Sequence, residues 1–436
     1  MPDPLRIALA GLGTVGAGVV RLLEANRATV EQRAGRAIAI TAVSARSRSR
    51  DRGIDLSGFA WEDDMTALAS RDDVDVVVEL VGGSDGPALA LARAALGQGK
   101  ALVTANKAMV ALHGLELAEQ AAAHDAPLKF EAAVAGGIPV VKGLREGAAA
   151  NAIERVSGIL NGTCNFILSE MERSGAEFSD VLAEAQARGF AEADPTFDIE
   201  GVDAAHKLAI LSAIAFGARI DFDAVITSGI TEVKAADIAR ARQLGFVIRL
   251  VGVADCDLSE CGSPRILQRV RPCLVPSGHP LAHVTGPTNA VVAEGNYSGR
   301  LLFQGAGAGD GPTASAVVAD IVDIARGDSG APFSVPVDQL VAMEPADPGH
   351  RVGRDYLRFT VADRPGVLAE ITAAMRDADV SIESLIQQGR AEDGGEVLVA
   401  MVTHEGPERC VAKAVELLEG SPSLTAPPLV LPILRD

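Results

Sequence analysis

The chain opens on a short apolar strand, Arg6 to Ala10, that ends in the turn Gly11 to Gly16. From Val15 to Glu24 the residues Val19, Leu22 and Leu23 then recur on one side of a helix. Further strands are predicted at Ile38 to Val43 and Val74 to Leu80, with a helical segment near Asp63 to Ser70 between them. Helix Ala88 to Leu96, strand Ala101 to Thr104 and helix Ala108 to His124 follow. Strands that alternate with helices predict an α/β domain, residues 1–130, built on a doubly wound parallel sheet.

Beyond Phe130 the pattern changes to mixed strands and longer helices, among them Asp180 to Arg188 and Gly201 to Gly217. This predicts a second, α+β domain over residues 131–327, a sheet with helices on one face. A glycine cluster, Gly305 to Gly309, precedes helix Thr313 to Arg326, which is placed to return to the first domain. Residues 328–353 carry Pro332, Pro336, Pro345 and Pro348 and read as a linker. Residues 354–436 then give strand Tyr356 to Val361, helix Val367 to Ala378, strands Ile382 to Gln388 and Glu396 to Thr403, helix Pro407 to Glu419 and strand Leu429 to Leu434. That βαββαβ order is ferredoxin-like.

A length of 436 residues agrees with three such units, since one core rarely serves so long a chain. The net charge of −19 argues against a nucleic-acid partner, whose phosphates demand clustered Lys and Arg. No secretory signal is expected in the run Leu5 to Ala10, and the longest apolar stretch, near Leu208 to Ala218, is too short for a membrane span. A cytoplasmic protein is the expectation. Its cysteines, Cys164, Cys256, Cys261, Cys273 and Cys410, lack paired metal-site spacing and read as reduced packing thiols. Asn161-Gly-Thr163 matches a glycosylation acceptor, which has no chemical meaning without secretion.

Gly11-Leu-Gly13-Thr14-Val15-Gly16 lies between a strand and a helix, the context in which this spacing cradles a dinucleotide pyrophosphate on the helix N-terminus. The sheet is thereby read as Rossmann-type. After the second strand the chain offers Arg46, Arg48 and Arg50 instead of the acidic residue that holds a free ribose 2′-hydroxyl. Guanidinium groups suit a 2′-phosphate, so NADP(H) is favoured; a solvated charged loop with NAD(H) is the other reading.

In the helix Gly201 to Gly217, Ala204, Leu208, Leu211 and Ala215 form an apolar seam, with Asp203 and Lys207 on the adjoining stripe. An ordinary surface pair would have the same spacing. However, the stretch Ala185 to Lys207, containing Gly189-Phe-Ala-Glu192-Ala-Asp194-Pro, Asp198-Ile-Glu-Gly201 and Asp203, resembles the signature of homoserine dehydrogenases. Thr104-Ala-Asn106-Lys107, Glu131 to Gly137, Ser157 to Thr163 and Gly305 to Gly309 resemble the same family, so the likeness spans residues 7 to about 326.

The resemblance implies reversible hydride transfer between NADP(H) and aspartate 4-semialdehyde or homoserine, on the route to threonine, methionine and isoleucine. It assigns the proton-donor role to Lys207, with Lys107 beside substrate and nicotinamide. Lysine suits that role because it can release a proton, which arginine cannot, and only seven of the 39 basic residues are lysines. Glu192 would hold the substrate ammonium, Asp203 would orient substrate and lysine, and Asp198 would support them. Thr104, Gly189 and Gly305 would approach the cofactor. Asp194 reads equally as a turn residue, and His206 as structural.

The segment Glu131 to Ile138 resembles a monovalent-cation loop, with the Glu131 side chain and the carbonyls of Val134, Gly136 and Ile138 on sodium; a glycine turn before a helix is the alternative. The segment Leu357 to Ala369 resembles an ACT domain. This implies that threonine binds near Asp363, Gly366 and Val367 and lowers activity; a dimerisation or vestigial module is the other reading. A homodimer or homotetramer is expected. A noncatalytic NADP and amino-acid sensor, and another NADP-dependent amino-aldehyde reductase, are the rival readings.

Overall fold

The computed structural model describes residues 2–257, 264–387 and 395–435. Cys261 and Gln388 lie outside the described residues. The N-terminal elements are β1 (Leu5–Ala10), α1 (Thr14–Ala25), α2 (Arg27–Ala34), β2 (Ile38–Ser44), β3 (Ala60–Trp61), β4 (Val76–Glu79), α3 (Pro87–Gly97), β5 (Ala101–Thr104), α4 (Lys107–Ala123) and β6 (Leu128–Lys129). The strands form one parallel sheet in the order β3-β2-β1-β4-β5-β6. Strand order reverses between β1 and β4, and that switch point opens a crevice beyond the carboxyl ends of the strands. The helical segment expected near Asp63 to Ser70 is a 3-10 turn, Met65–Ser70, and α2 was not visible in the apolar pattern because only Val30 and Ala34 of its sequence, RATVEQRA, are buried, too few to show a helical period.

The middle of the chain contains α5 (Val140–Lys142), β7 (Ile153–Ile159), α6 (Gly162–Ser174), α7 (Phe178–Ala187), α8 (Thr196–Ile199), α9 (Val202–Phe216), β8 (Val225–Thr227), α10 (Ala235–Gln243), β9 (Phe246–Asp257), β10 (Arg265–Pro276), β11 (Thr288–Gly295), β12 (Gly299–Ala306), α11 (Asp310–Arg326) and β13 (Glu344–Pro345). A seven-stranded mixed sheet runs β12-β11-β7-β9-β10-β13, with β8 also paired to β10. Helices α6, α9 and α10 cover one face. The other face buries Ile159, Val251, Val253 and Val292 under Leu281, Val284 and Leu434.

Helix α9 differs from its expected form. Residues Asp203 to Ile214 are all buried, so Asp203 and Lys207 do not lie at the margin of an apolar stripe but inside the protein. The helix packs on α4 on one side and on β7, β9 and β10 on another, leaving no solvent face along most of its length.

Helix α11 packs against α1, and its Val317, Val318 and Ile321 share an apolar cluster with Leu9, Val19 and Val20. Each such side chain contributes about 1.5–3 kcal/mol when fully buried, enough to fix the two domains across the crevice between them.

After β14 (Val352–Gly353), the C-terminal unit comprises β15 (Asp355–Ala362), α12 (Val367–Asp377), β16 (Ile382–Gln387), β17 (Glu396–Thr403), β18 (Gly406–Pro407), α13 (Glu408–Leu417) and β19 (Leu424–Pro432). Its antiparallel sheet is ordered β16-β17-β15-β19, the ferredoxin-like arrangement. This unit does not hang on a tether. Tyr356, Val402, Leu431 and Ile433 belong to the same apolar cluster as Leu208, Ile248 and Leu274. The Leu434 N–H donates to Leu274 O at 2.8 Å. Among the described residues no helix is long and apolar enough to cross a membrane.

Candidate active site

A cleft of about 750 Å³ lies between the two larger domains. Val15, Val81, Gly82 and Lys107 line one wall; Asn161, Thr163, Glu192, Asp198, Asp203 and Lys207 line the other, and Gly307 to Gly309 close one side.

The glycine turn is shaped by close backbone contacts. Gly11 has φ +99°, and a Cβ there would lie 2.7 Å from Leu80 O. A Cβ on Gly16 would lie 2.0 Å from Gly11 O, so helix α1 can approach the strand end only without a side chain at that position. A Cβ on Gly13 would meet nothing within 4 Å, which leaves space directly above the turn. Helix α1, twelve residues long, has no side-chain cap at its N-terminus. Its unpaired N–H groups, those of Thr14 and Val15 included, therefore suit a pyrophosphate. Arg46 is exposed just beyond β2.

Two supports of this region were not found by sequence reasoning. Glu79, fully buried at the end of β4, accepts the N–H groups of Val81 at 2.7 Å and Gly82 at 3.1 Å and the Thr104 hydroxyl at 2.6 Å. It thereby fixes the loop at the crevice. Thr104 is buried behind the cleft wall, and its hydroxyl serves Glu79 and the Asn106 N–H. Arg52 donates to Leu12 O at 3.0 Å and to Ser47 O, tying the glycine turn to the arginine loop. The signal for Glu79 was a lone acid terminating an apolar strand; Arg52 had none that set it apart from its neighbours.

On the opposite wall Asp203 joins two lysines. Its Oδ1 lies 3.0 Å from Lys107 Nζ, and its Oδ2 accepts from Lys207 Nζ at 2.7 Å. Lys207 Nζ also donates to Leu160 O at 2.7 Å. Asn161, only 4% exposed, donates through Nδ2 to Asp203 Oδ2 and to Asp198 Oδ1, both at 2.8 Å. Burial would raise the Asp203 pKa, but Lys207, Lys107 and these hydrogen bonds outweigh it and hold the carboxyl well below the usual carboxylate range. Asp203 therefore stays ionised, and Lys107 and Lys207 meet in one place although 100 residues separate them in sequence.

Glu192 lies exposed at the cleft rim, and among the described residues no side chain hydrogen-bonds its carboxylate. Its backbone carbonyl accepts from Gln186 at 3.1 Å. Asp194 accepts the Thr196 N–H at 3.1 Å, the contact of a turn residue. His206 stacks on Phe222 with ring centroids 4.4 Å apart. Burial, with help from Lys107, lowers its pKa and favours the neutral ring. Gly189, at φ +74°, lines the cleft, whereas Gly305 lies just before the stretch Ala306 to Gly309 that does so.

The Glu131 carboxylate is 2% exposed and accepts the N–H groups of Val141 and Lys142 at 3.0 and 2.9 Å. Burial, then the nearby Asp320, pushes its pKa up to about 7. Among the described residues no backbone N–H reaches Val134 O or Gly136 O, while Ile138 O accepts from Val140 N at 2.7 Å. Gly136 packs so that a Cβ would lie 2.5 Å from Gly307 O, which places this loop against the cleft. The Glu131 carboxylate, each of whose oxygens already holds one backbone N–H, and the donor-free carbonyls of Val134 and Gly136 are the hard oxygen groups this segment offers a monovalent cation.

In the C-terminal unit a smaller cavity, about 160 Å³, is lined by Val361 to Leu368 and Gln387 and so includes Asp363, Gly366 and Val367. Gly366 has φ +97° at the start of α12.

The homoserine dehydrogenase family model matches residues 139–322, the model for the NAD-binding domain of homoserine dehydrogenase matches 11–131, and the ACT domain model matches 356–419. The chain is 43% identical over 431 residues to homoserine dehydrogenase of Pseudomonas aeruginosa, covering 97% of each. It is similar to the crystal structure of a homoserine dehydrogenase from Thiobacillus denitrificans, with TM-score 0.91, 41% identity and coverage of 99% and 98%. A hyperthermophilic archaeal homoserine dehydrogenase in complex with NADPH aligns with TM-score 0.61 at 26% identity, over 73% of this chain and 97% of that one.

Proposed function

The chain belongs to the homoserine dehydrogenase family, and from that premise we propose that it interconverts L-aspartate 4-semialdehyde and L-homoserine with NADP(H), under feedback by threonine. The single observation that carries the catalytic reading is the Lys107–Asp203–Lys207 cluster, with Asp203 and Lys207 buried, facing the glycine turn across one cleft.

When bound, the nicotinamide supplies or accepts the hydride. Negative charge builds on the substrate oxygen during aldehyde reduction, and Lys207 Nζ, ordered by Asp203 and Leu160 O, gives that oxygen a proton. Lys107, part-exposed on the facing wall, stabilises the same oxygen by its charge. Glu192, at the rim, holds the substrate ammonium, Asp203 orients substrate and lysine, and Asp198 supports them.

The preference for NADP(H) is supported by Arg46 and by the NADPH-bound relative. The direct test is oxidation of homoserine with NADP and with NAD, followed by absorbance of the reduced nicotinamide. Higher kcat/KM with NADP is expected. Arg46→Asp should move the ratio toward NAD by about tenfold, the equivalent of one charge-assisted hydrogen bond. An unchanged ratio would remove Arg46 from the 2′-phosphate site.

A sodium ion would be held by the Glu131 carboxylate with the carbonyls of Val134, Gly136 and Ile138, in the loop that packs Gly136 against Gly307. Threonine occupies the cavity at Asp363 to Val367. The intact chain should therefore lose homoserine oxidation as threonine rises into the millimolar range, and Asp363→Ala should blunt that inhibition while leaving the uninhibited rate intact. A rate indifferent to threonine would leave the ACT domain without a sensing role. Assembly as a homo-oligomer is supported by the exposed edge strand β12, with Leu302 45% and the adjacent Tyr297 89% exposed.

A further inference from the structure

We propose that Asn161 is a positioning residue for the catalytic carboxylates, a task separate from its capping of helix α6. Its two ends do different work. Oδ1 accepts the Cys164 N–H at 2.8 Å and caps α6, while Nδ2 donates to Asp198 Oδ1 and to Asp203 Oδ2 at 2.8 Å each. A primary amide has two N–H donors, so one group gives a hydrogen to each carboxylate. It stands as a neutral bridge between like charges that would otherwise repel across a buried gap.

The location supports this division. Asn161 follows Leu160, whose carbonyl holds Lys207 Nζ, so one backbone corner fixes the lysine and the next side chain fixes its counter-ion. Asp198 is gripped from further directions: its Oδ2 accepts from the Thr163 hydroxyl at 3.1 Å, and its backbone carbonyl lies 3.2 Å from Cys164 Sγ. With Asp198 and Asp203 both locked, the two carboxylates beside the substrate keep one orientation, and Lys207 is left one geometry. The amide also disposes of the glycosylation motif, because a side chain so buried and so engaged offers no acceptor nitrogen.

This inference rests on the proposed roles of Asp203 and Lys207, and the test separates the two. Ser, Asp and Asn are nearly equivalent helix caps. Asn161→Ser and Asn161→Asp therefore preserve the cap while removing the two-donor amide: Ser keeps one hydroxyl on a shorter arm, and Asp has no donor and adds a third carboxylate. Homoserine oxidation, NADP binding and thermal melting are measured for all three proteins. The expected order of kcat/KM for homoserine is Asn, then Ser lower by about tenfold, then Asp lower by about a hundredfold. The KM for homoserine should rise while NADP affinity stays within about twofold and melting changes by only a few degrees. Equal kcat/KM in Asn and Ser proteins, or losses that merely follow melting temperature, would overturn the positioning role. A wild-type chain unable to oxidise homoserine would instead overturn the underlying reading, and this inference with it.

Discussion

Lys207→Ala is expected to lower turnover with homoserine at least ~100-fold while NADPH binding survives, the usual cost of removing the group that takes the hydroxyl proton in oxidation and returns it in reduction. The fold should tolerate the change. Asp203 would keep Lys107 at 3.0 Å and Asn161 at 2.8 Å, so its charge would not be abandoned in the interior. The cofactor region, on the opposite wall, makes no hydrogen bond to Lys207, whose donors go to Leu160 O and Asp203. Lys207→Arg should fail similarly, because a guanidinium keeps its proton under these conditions. Turnover is measured by steady-state oxidation and binding by NADPH fluorescence. Unchanged turnover in the alanine protein would sink the proton-donor assignment, and lost NADPH binding would show that the substitution acts through the fold.

The second large effect is expected at the junction with the ACT domain. Arg358 on β15 donates to Asp237 on α10 at 2.8 Å, and Tyr356 donates to the other oxygen at 3.1 Å, with both charged groups buried. Arg358→Met keeps much of the aliphatic stem and removes the charge. Cutting one partner from a buried ion pair costs about 3–5 kcal/mol, and about 3 is expected here because Asp237 can escape part of the cost by taking up a proton.

That escape gives the effect a pH dependence. Burial already raises the Asp237 pKa, against the pull of the Lys234 N–H and Arg358. Without Arg358 it rises further above its unfolded value. A carboxyl protonated in both states costs nothing extra, so the deficit should be small in acid and should grow as pH rises through the folded pKa. Denaturant unfolding of both proteins across this range measures it. A deficit below about 0.5 kcal/mol at neutral pH would mean that the pair is screened and contributes as a surface bridge does.

The consequence reaches beyond stability. The ACT sheet shares apolar packing with α9 and β10. Threonine feedback, if measured in the Arg358→Met protein, should weaken in parallel with the loss of that junction.

How much of this was legible beforehand follows from the range of each interaction. The glycine turn was readable because strand, turn and helix are contiguous, and the steric reasons for Gly11 and Gly16 are contacts with Leu80 O and with the turn itself. The βαββαβ order was equally local. The Asp203–Lys207 spacing fixed that the two would meet on a helix, since residues four apart share a face. Spacing could not fix whether they meet in water or in the interior. The same residues would make a surface pair worth a few tenths of a kcal/mol, and only packing on several sides made them a buried site.

The sequence by itself therefore determined the local elements, the family likeness and the chemical types present at the site. Tertiary structure alone decided that Lys107 would join Asp203, that Asn161 would bridge Asp198 and Asp203, that Glu79 would hold the crevice loop, and that the ACT sheet would lock onto α10. The physical reason is distance along the chain. Periodicity and capping act between neighbours, whereas these contacts, apart from those of Glu79 with the loop just after it, join residues from tens to more than a hundred positions apart, and their strength depends on the water excluded around them.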